Sequence, residues 1–156
     1  MLSKVAYVCG PLTELNAELA QEVRDFYEKI GDACREITGV RAFIPHEHFD
    51  PVKHANFTAQ QVDDAERDQV CNKTSLLIVV PIAPSWGGGI EVEMANQSGV
   101  PVIILCENGK KISRLLKGNP AVKTILEYHT QDEAILKLKY ALDQMKWCTS
   151  LLKQNL

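Results

Sequence analysis

The stretch from Ser75 to Ile104, SLLIVVPIAPSWGGGIEVEMANQSGVPVII, constrains the fold more than any other part of the chain. An apolar run, Leu76 to Val80, leads into a loop with Pro84, Ser85, Trp86 and three glycines. A short amphipathic segment and a second apolar run, Val100 to Leu105, follow. Short β-branched runs without alternation suit strands buried on both faces of a parallel sheet, and the intervening segment is long enough for the crossover helix. The unit is therefore β-loop-α-β, and its glycine loop faces the crevice beyond the carboxyl ends of the strands.

A glycine-rich turn before a helix brings backbone N–H groups close to an anion, or simply closes a tight connection. This one lacks the Gly-Lys-Ser/Thr ending of a Walker loop. Glu91 is expected in the first helical turn, where a carboxylate complements the helix dipole. Two residues after the last of three glycines, it has little side-chain bulk in the turn before it, which makes it a candidate nucleophile.

With 156 residues the chain fits one domain with a full core, taken as residues 1–156. The formal net charge of −3 comes without a basic stripe, which argues against a nucleic-acid partner but leaves room for a small anionic ligand. Met1 runs straight into a strand-like KVAYVCG, and no apolar run reaches bilayer length, so neither a leader nor a membrane span is expected. The five cysteines are widely spaced without a Cys-x-x-Cys. They read as reduced, mostly buried thiols of a cytoplasmic protein.

In chain order, Lys4 to Cys9 is the first strand, ended by Gly10 and Pro11. Leu15, Leu19, Val23, Phe26, Ile30, Cys34 and Ile37 recur at helical spacing up to Gly39. Arg41 to Ile44 is expected as a second strand, and the polar segment from Pro45 to Phe57 as a loop over the crevice. Thr58 and Gln61 form a capping box for a helix running to about Lys73. Lys110 to Lys117 reads as a short basic helix, Val122 to Tyr128 as an edge strand, and Gln131 to about Leu152 as a closing helix. The alternation predicts an α/β fold, a doubly wound, flavodoxin- or Rossmann-like parallel sheet of five strands in the order 2-1-3-4-5 with helices on both faces.

Tyr7, Asp68, Ser85 and Glu91 all fall where they can point into one crevice. Tyr7-Val-Cys-Gly-Pro, Glu66-Arg-Asp68 and Pro84-Ser-Trp-Gly-Gly-Gly-Ile-Glu91 together resemble the nucleoside 2-deoxyribosyltransferase superfamily, and within it the nucleoside 5'-monophosphate N-glycosidases. The likeness spans about Val5 to Gly118. It implies that Glu91 attacks the anomeric carbon, that Tyr7 orients this carboxylate, and that Asp68 serves the sugar hydroxyls or relays a proton to the leaving base. It implies no cofactor and no metal. Gly10 is expected at the sugar or base, and Trp86 either stacks on a ligand ring or packs against the 45–57 segment.

Transferases of the resembled family that act on free nucleosides carry an acid six residues before the nucleophile, where this chain has Ser85. A hydroxyl with the amides of Gly87 and Gly88 accepts a 5'-phosphate that a carboxylate would repel. Ser113 matches a serine that reaches this phosphate from a neighbouring subunit, which implies a homodimer or larger homo-oligomer. Gly10-Pro11-Leu12-Thr13 departs from the hydrolase pattern toward that of the nucleoside transferases. The expected activity is hydrolysis of a nucleoside 5'-monophosphate to base and sugar 5-phosphate. The alternatives are base exchange by a deoxyribosyltransferase, cleavage of a dinucleotide such as NAD, and a nucleotide-sensing module without turnover, which would not need both Asp68 and Glu91. His46, His48 and His54 invite a metal reading, but the resembled chemistry needs no metal.

Overall fold

The computed structural model describes residues 4–13, 15–50 and 53–154, with residues 146–154 described by their backbone alone. Four strands, β1 (Val5–Cys9), β2 (Thr74–Val79), β3 (Val102–Glu107) and β4 (Val122–Tyr128), form one parallel sheet in the order β1-β2-β3-β4. Alternate residues feed two cores. Val8, Ile78, Ile103 and Leu105 pack on one side with Phe26, Ile30 and Leu138; Tyr7, Leu77, Val79 and Ile104 pack on the other with Val70 and Val92. Burial of both faces is why β1, β2 and β3 carry largely apolar runs, whereas β4 alternates in part, with Lys123 and Glu127 exposed.

The first core is covered by α1 (Ala17–Thr38) and α6 (Gln131–Gln154). Asn16 caps α1 by accepting from the Leu19 N–H at 2.9 Å, and Gly39, at φ 82°, closes it by donating to the Arg35 carbonyl. The side chains of Cys148 and Leu151 lie outside the described residues. Cys9, Cys34, Cys71 and Cys106 are free thiols, three of them buried. No helix among the described residues is long and apolar enough to cross a membrane.

Across the sheet lie α3 (Ala59–Lys73) and α4 (Trp86–Gln97). The Thr58–Gln61 capping box that starts α3 is present in both directions.

Three expectations change. The fifth strand, Arg41 to Ile44, does not form. It contracts to a single parallel bridge between Phe43 and Tyr7 on the open edge of β1, with Val8 N–H donating to the Phe43 carbonyl and Phe43 N–H to that of Ala6. Pro45, two residues further on, opens helix α2 (Pro45–Phe49), so the 45–57 segment is partly helical and the pairing has no room to extend. The basic helix shrinks to α5 (Arg114–Lys117), because Ser113 caps it, its hydroxyl accepting from the N–H groups of Leu115 and Leu116. In α4 the three glycines lie inside the helix, which puts Glu91 in its second turn, not its first.

Candidate active site

Ser85 starts α4: its hydroxyl accepts from the Gly88 N–H at 3.1 Å and its carbonyl from Gly89 N–H at 3.2 Å. Three successive glycines in a first turn cost roughly 3 kcal/mol relative to alanines. Gly88 has a packing reason: a Cβ there would stand 3.4 Å from the Cys9 sulfur. At Gly87 and Gly89 added side chains would meet open space, so these two keep the mouth of the helix bare.

One turn deeper, Glu91 is buried, and the hydroxyl of the fully buried Tyr7 donates a short hydrogen bond to its Oε1. Burial raises the Glu91 pKa, while the Tyr7 hydroxyl and the Cys9 thiol, both set against the carboxylate, pull it back. The same surroundings push Tyr7 and Cys9 well up, so both stay protonated as donors at neutral pH. The Tyr7 ring is held by Phe43, stacked at 5.5 Å, and Phe43 by His48 at 4.4 Å.

The second carboxylate is Glu66 on α3. Burial first, then the charges of Glu91 and Asp63, raise its pKa to about 7. Two carboxyl groups in one field do not ionise together. The Tyr7 and Cys9 donors favour the ionised form of Glu91 against its burial, whereas Glu66 has burial and the charges of Glu91 and Asp63 acting against ionisation. Asp68 is not brought to the site. It is half-exposed, paired with Lys73 at 2.5 Å and accepting from Asn72 at 2.9 Å, and these partners hold its pKa low. The pattern for the distinction lies in the sequence. Glu66 is four residues from both Val62 and Val70 and shares their inward stripe, whereas Asp68 is two residues off it.

At the carboxyl ends of β1 to β3 lies a cavity of about 490 Å³, within the range of small-molecule sites; neither Glu66 nor Glu91 is among its lining residues. Cys9 is its wall toward Glu91. Gly10, Ser85, Gly88, Lys110, Lys111 and Ser113 also line it. Ser113 and Ser85 thus share one cavity within one chain, because each follows one of the adjacent strands β2 and β3, and gathering them requires no neighbouring subunit. Gly10 packs so tightly that a Cβ would fall 2.0 Å from the Tyr27 hydroxyl. Gly87 lies outside the cavity lining, and Trp86, 90% exposed, packs neither into the cavity nor against the 45–57 segment.

The three histidines do not converge. His48 stacks on Phe43, His54 on Phe57, and His46 is buried beside Tyr27 and Glu28. Glu28, His46 and Glu47 do gather their ligand atoms. Both Glu47 oxygens are taken by Arg41, at 2.7 and 2.6 Å, so the group reads as an ion-pair network.

The chain is a parallel α/β domain with a cavity at the carboxyl ends of its strands, the place where open sheets of this kind hold ligands. Solved structures with this fold include the CMP N-glycosidase BcmB of Clostridium botulinum, with 18% identity, 88% of this chain and 99% of that one covered, and a TM-score of 0.65. BlsM matches with 17% identity over 92% of this chain and 91% of its own, at a TM-score of 0.63. A conserved protein of Enterococcus faecalis V583 matches with 15% identity over 89% and 99%, at 0.59. No family model and no curated protein matches the sequence. At these identities the shared feature is the fold.

Proposed function

We propose that this chain is an N-glycosidase that hydrolyses a nucleoside 5'-monophosphate. The observation that carries the reading is the hydrogen bond from Tyr7 to the buried Glu91; the acid it is paired with here is Glu66, whose pKa burial and the charge of Glu91 raise to about 7. Glu91 attacks the anomeric carbon while the glycosidic C–N bond breaks, and Glu66 gives its proton to the departing base. Glu66, now a carboxylate, takes a proton from water. That water attacks the same carbon and breaks the ester, returning Glu91 as a carboxylate and Glu66 as an acid. The sum is nucleotide plus water to base plus sugar 5-phosphate.

The phosphate sits in the cavity. The Ser85 hydroxyl accepts from Gly88, leaving its own proton for a phosphate oxygen at the positive end of the α4 dipole. Ser113, Lys110 and Lys111 line the same space, as does Glu93. The fold shared with a CMP N-glycosidase supports the reading.

The test is base release, followed by chromatography, from ribo- and deoxyribonucleosides and their 5'-monophosphates, each with and without a second free base. Release from monophosphates regardless of added base is expected. Exchange that requires an acceptor base and ignores the phosphate would make the chain a deoxyribosyltransferase, as the Gly10-Pro11-Leu12-Thr13 turn favours.

A further inference from the structure

Helix α4 presents one stripe to the cavity. Ser85, Gly88, Gly89, Val92 and Glu93 line it, at the three- and four-residue steps of a single helical face, while Glu91 lies off that face, toward Tyr7. The stripe has two unlike ends. Ser85 stands at the positive end of the helix dipole, whereas Glu93 stands two turns on, about 12 Å along the axis. Glu93 is exposed, and amides hold its carboxylate. Asn96 Nδ2 donates to both oxygens at 3.3 Å, Gln97 Nε2 to Oε1 at 3.2 Å, and Asn119 Nδ2, from the turn after α5, to Oε2 at 3.1 Å. Asn119 also lines the cavity and is itself fixed, its Oδ1 accepting from the Ala121 N–H and its carbonyl from the Val122 N–H, both at 3.0 Å. Neutral amides orient the carboxylate without cancelling its charge.

The cavity, about 490 Å³, is larger than one phosphate needs, since a phosphate group is only a few water volumes in size and a water takes roughly 30 Å³. Lys110 and Lys111 do not limit the number of phosphates, because an ammonium is a point charge that draws a chain of them at least as strongly as one. The carboxylate at the far end of the stripe opposes them. Given the nucleotide N-glycosidase reading, on which this rests, we infer that Glu93 is a specificity-determining residue that limits the site to a single phosphate. A 5'-monophosphate is held at the Ser85 end. A β-phosphate would extend along the stripe toward the Glu93 carboxylate, and the like charges meeting there reject the di- and triphosphate. Asn119 is a positioning residue that keeps this carboxylate over the cavity instead of in solvent.

The experiment takes the nucleoside whose monophosphate is cleaved fastest and measures base release from its 5'-mono-, di- and triphosphates, read as the ratio of diphosphate to monophosphate kcat/KM. Wild type is expected to favour the monophosphate by about tenfold or more, and Glu93→Gln, which keeps an acceptor for Asn119 but no charge, to raise the ratio about tenfold. Glu93→Asp keeps most of the discrimination. Asn119→Ala raises the ratio by a smaller factor and adds nothing in the Glu93→Gln background, because it acts through the carboxylate. A merely structural role would lower all rates together and leave the ratio alone. A wild type that uses both substrates equally, or a Glu93→Gln ratio equal to that of wild type, overturns the inference. Base release from none of the nucleotides would instead sink the hydrolase reading, and calorimetry with inorganic phosphate and pyrophosphate then reads Glu93 on the same proteins. Wild type is expected to bind phosphate more tightly, and Glu93→Gln to shift the preference toward pyrophosphate. Absence of that shift, or of binding to either anion, overturns the inference by itself.

Discussion

At the scale of single residues the site reduces to which carboxylate holds the proton. Glu91 has hydroxyl and thiol donors and Glu66 lies in its field, and the proposed nucleophile and acid roles rest on that difference in surroundings. Glu91→Gln is expected to lower kcat by more than about a thousandfold. Tyr7→Phe removes a hydrogen bond to a charged, buried acceptor and is expected to cost about 10- to 100-fold in kcat. Glu66 gives the sharper case. If Glu66 is the acid, wild-type kcat/KM is expected to fall as pH rises through about 7. Glu66→Gln is expected to lose about 100-fold or more at pH 6 and to lose this alkaline limb as well. Asp68→Asn, changing a group bound to Lys73, should stay within about twofold of wild type at every pH. Steady-state profiles of the three proteins check this, and a large loss in the Asp68 variant with a normal Glu66 variant would return the acid's role to Asp68. The burial of Glu91 against Tyr7 was legible in part, because the glycine turn and the carboxylate are near neighbours in sequence. The partial burial of Glu66 was legible only by placing it on the Val62–Val70 stripe of α3, which Asp68 does not share.

The helix α4 joins stability to recognition through Ser85, which caps a first turn made of poor helix formers and also lines the cavity. Ser85→Asp separates the two roles, since aspartate caps as well as serine. Thermal unfolding should be unchanged within about 1 kcal/mol, while KM for a monophosphate rises at least about tenfold and that for a nucleoside does not. Ser85→Ala should instead lose about 1 kcal/mol of stability with the cap. Equal KM increases for both substrates in Ser85→Asp would remove the phosphate from this cavity. The same helix shows how local patterns mislead about boundaries. Three glycines read as a loop, yet the Ser85 cap and packing against Cys9 draw them into the helix, one turn earlier than expected. At Arg41–Ile44 the expected strand is reduced to a visit to the open edge of β1. The proline at 45 limits that visit to one bridge.

Across the whole molecule, the alternation of elements was legible because each strand is buried on both faces and each long helix carries its own caps. The two carboxylates set against this core impose a pH dependence on its stability. The folded pKa of Glu66, about 7, lies above the ordinary glutamate value near 4.5, and that of Glu91 is raised as well. The native state therefore binds protons that the unfolded state has lost. The stability these groups contribute is fully present below their unfolded pKa and is lost as pH rises through the folded values. Asp68 and Glu133, whose pKa values are lowered by lysine partners, act in the opposite sense, and only in more acid solution. Between pH 5 and 8 the active-site pair sets the slope, so wild-type Tm should fall over that range. Glu66→Gln, isosteric but unable to ionise, should match wild type near pH 5 and exceed it increasingly toward pH 8. Glu91→Gln should also unfold at higher temperature, and by removing the charge next to Glu66 it should move the Glu66 midpoint to lower pH. Melting followed by circular dichroism reads all three proteins without reference to substrate. A Glu66→Gln curve parallel to wild type from pH 5 to 8 would mean that Glu66 is solvated and ionised throughout, and the proton assigned to it would have no place to reside.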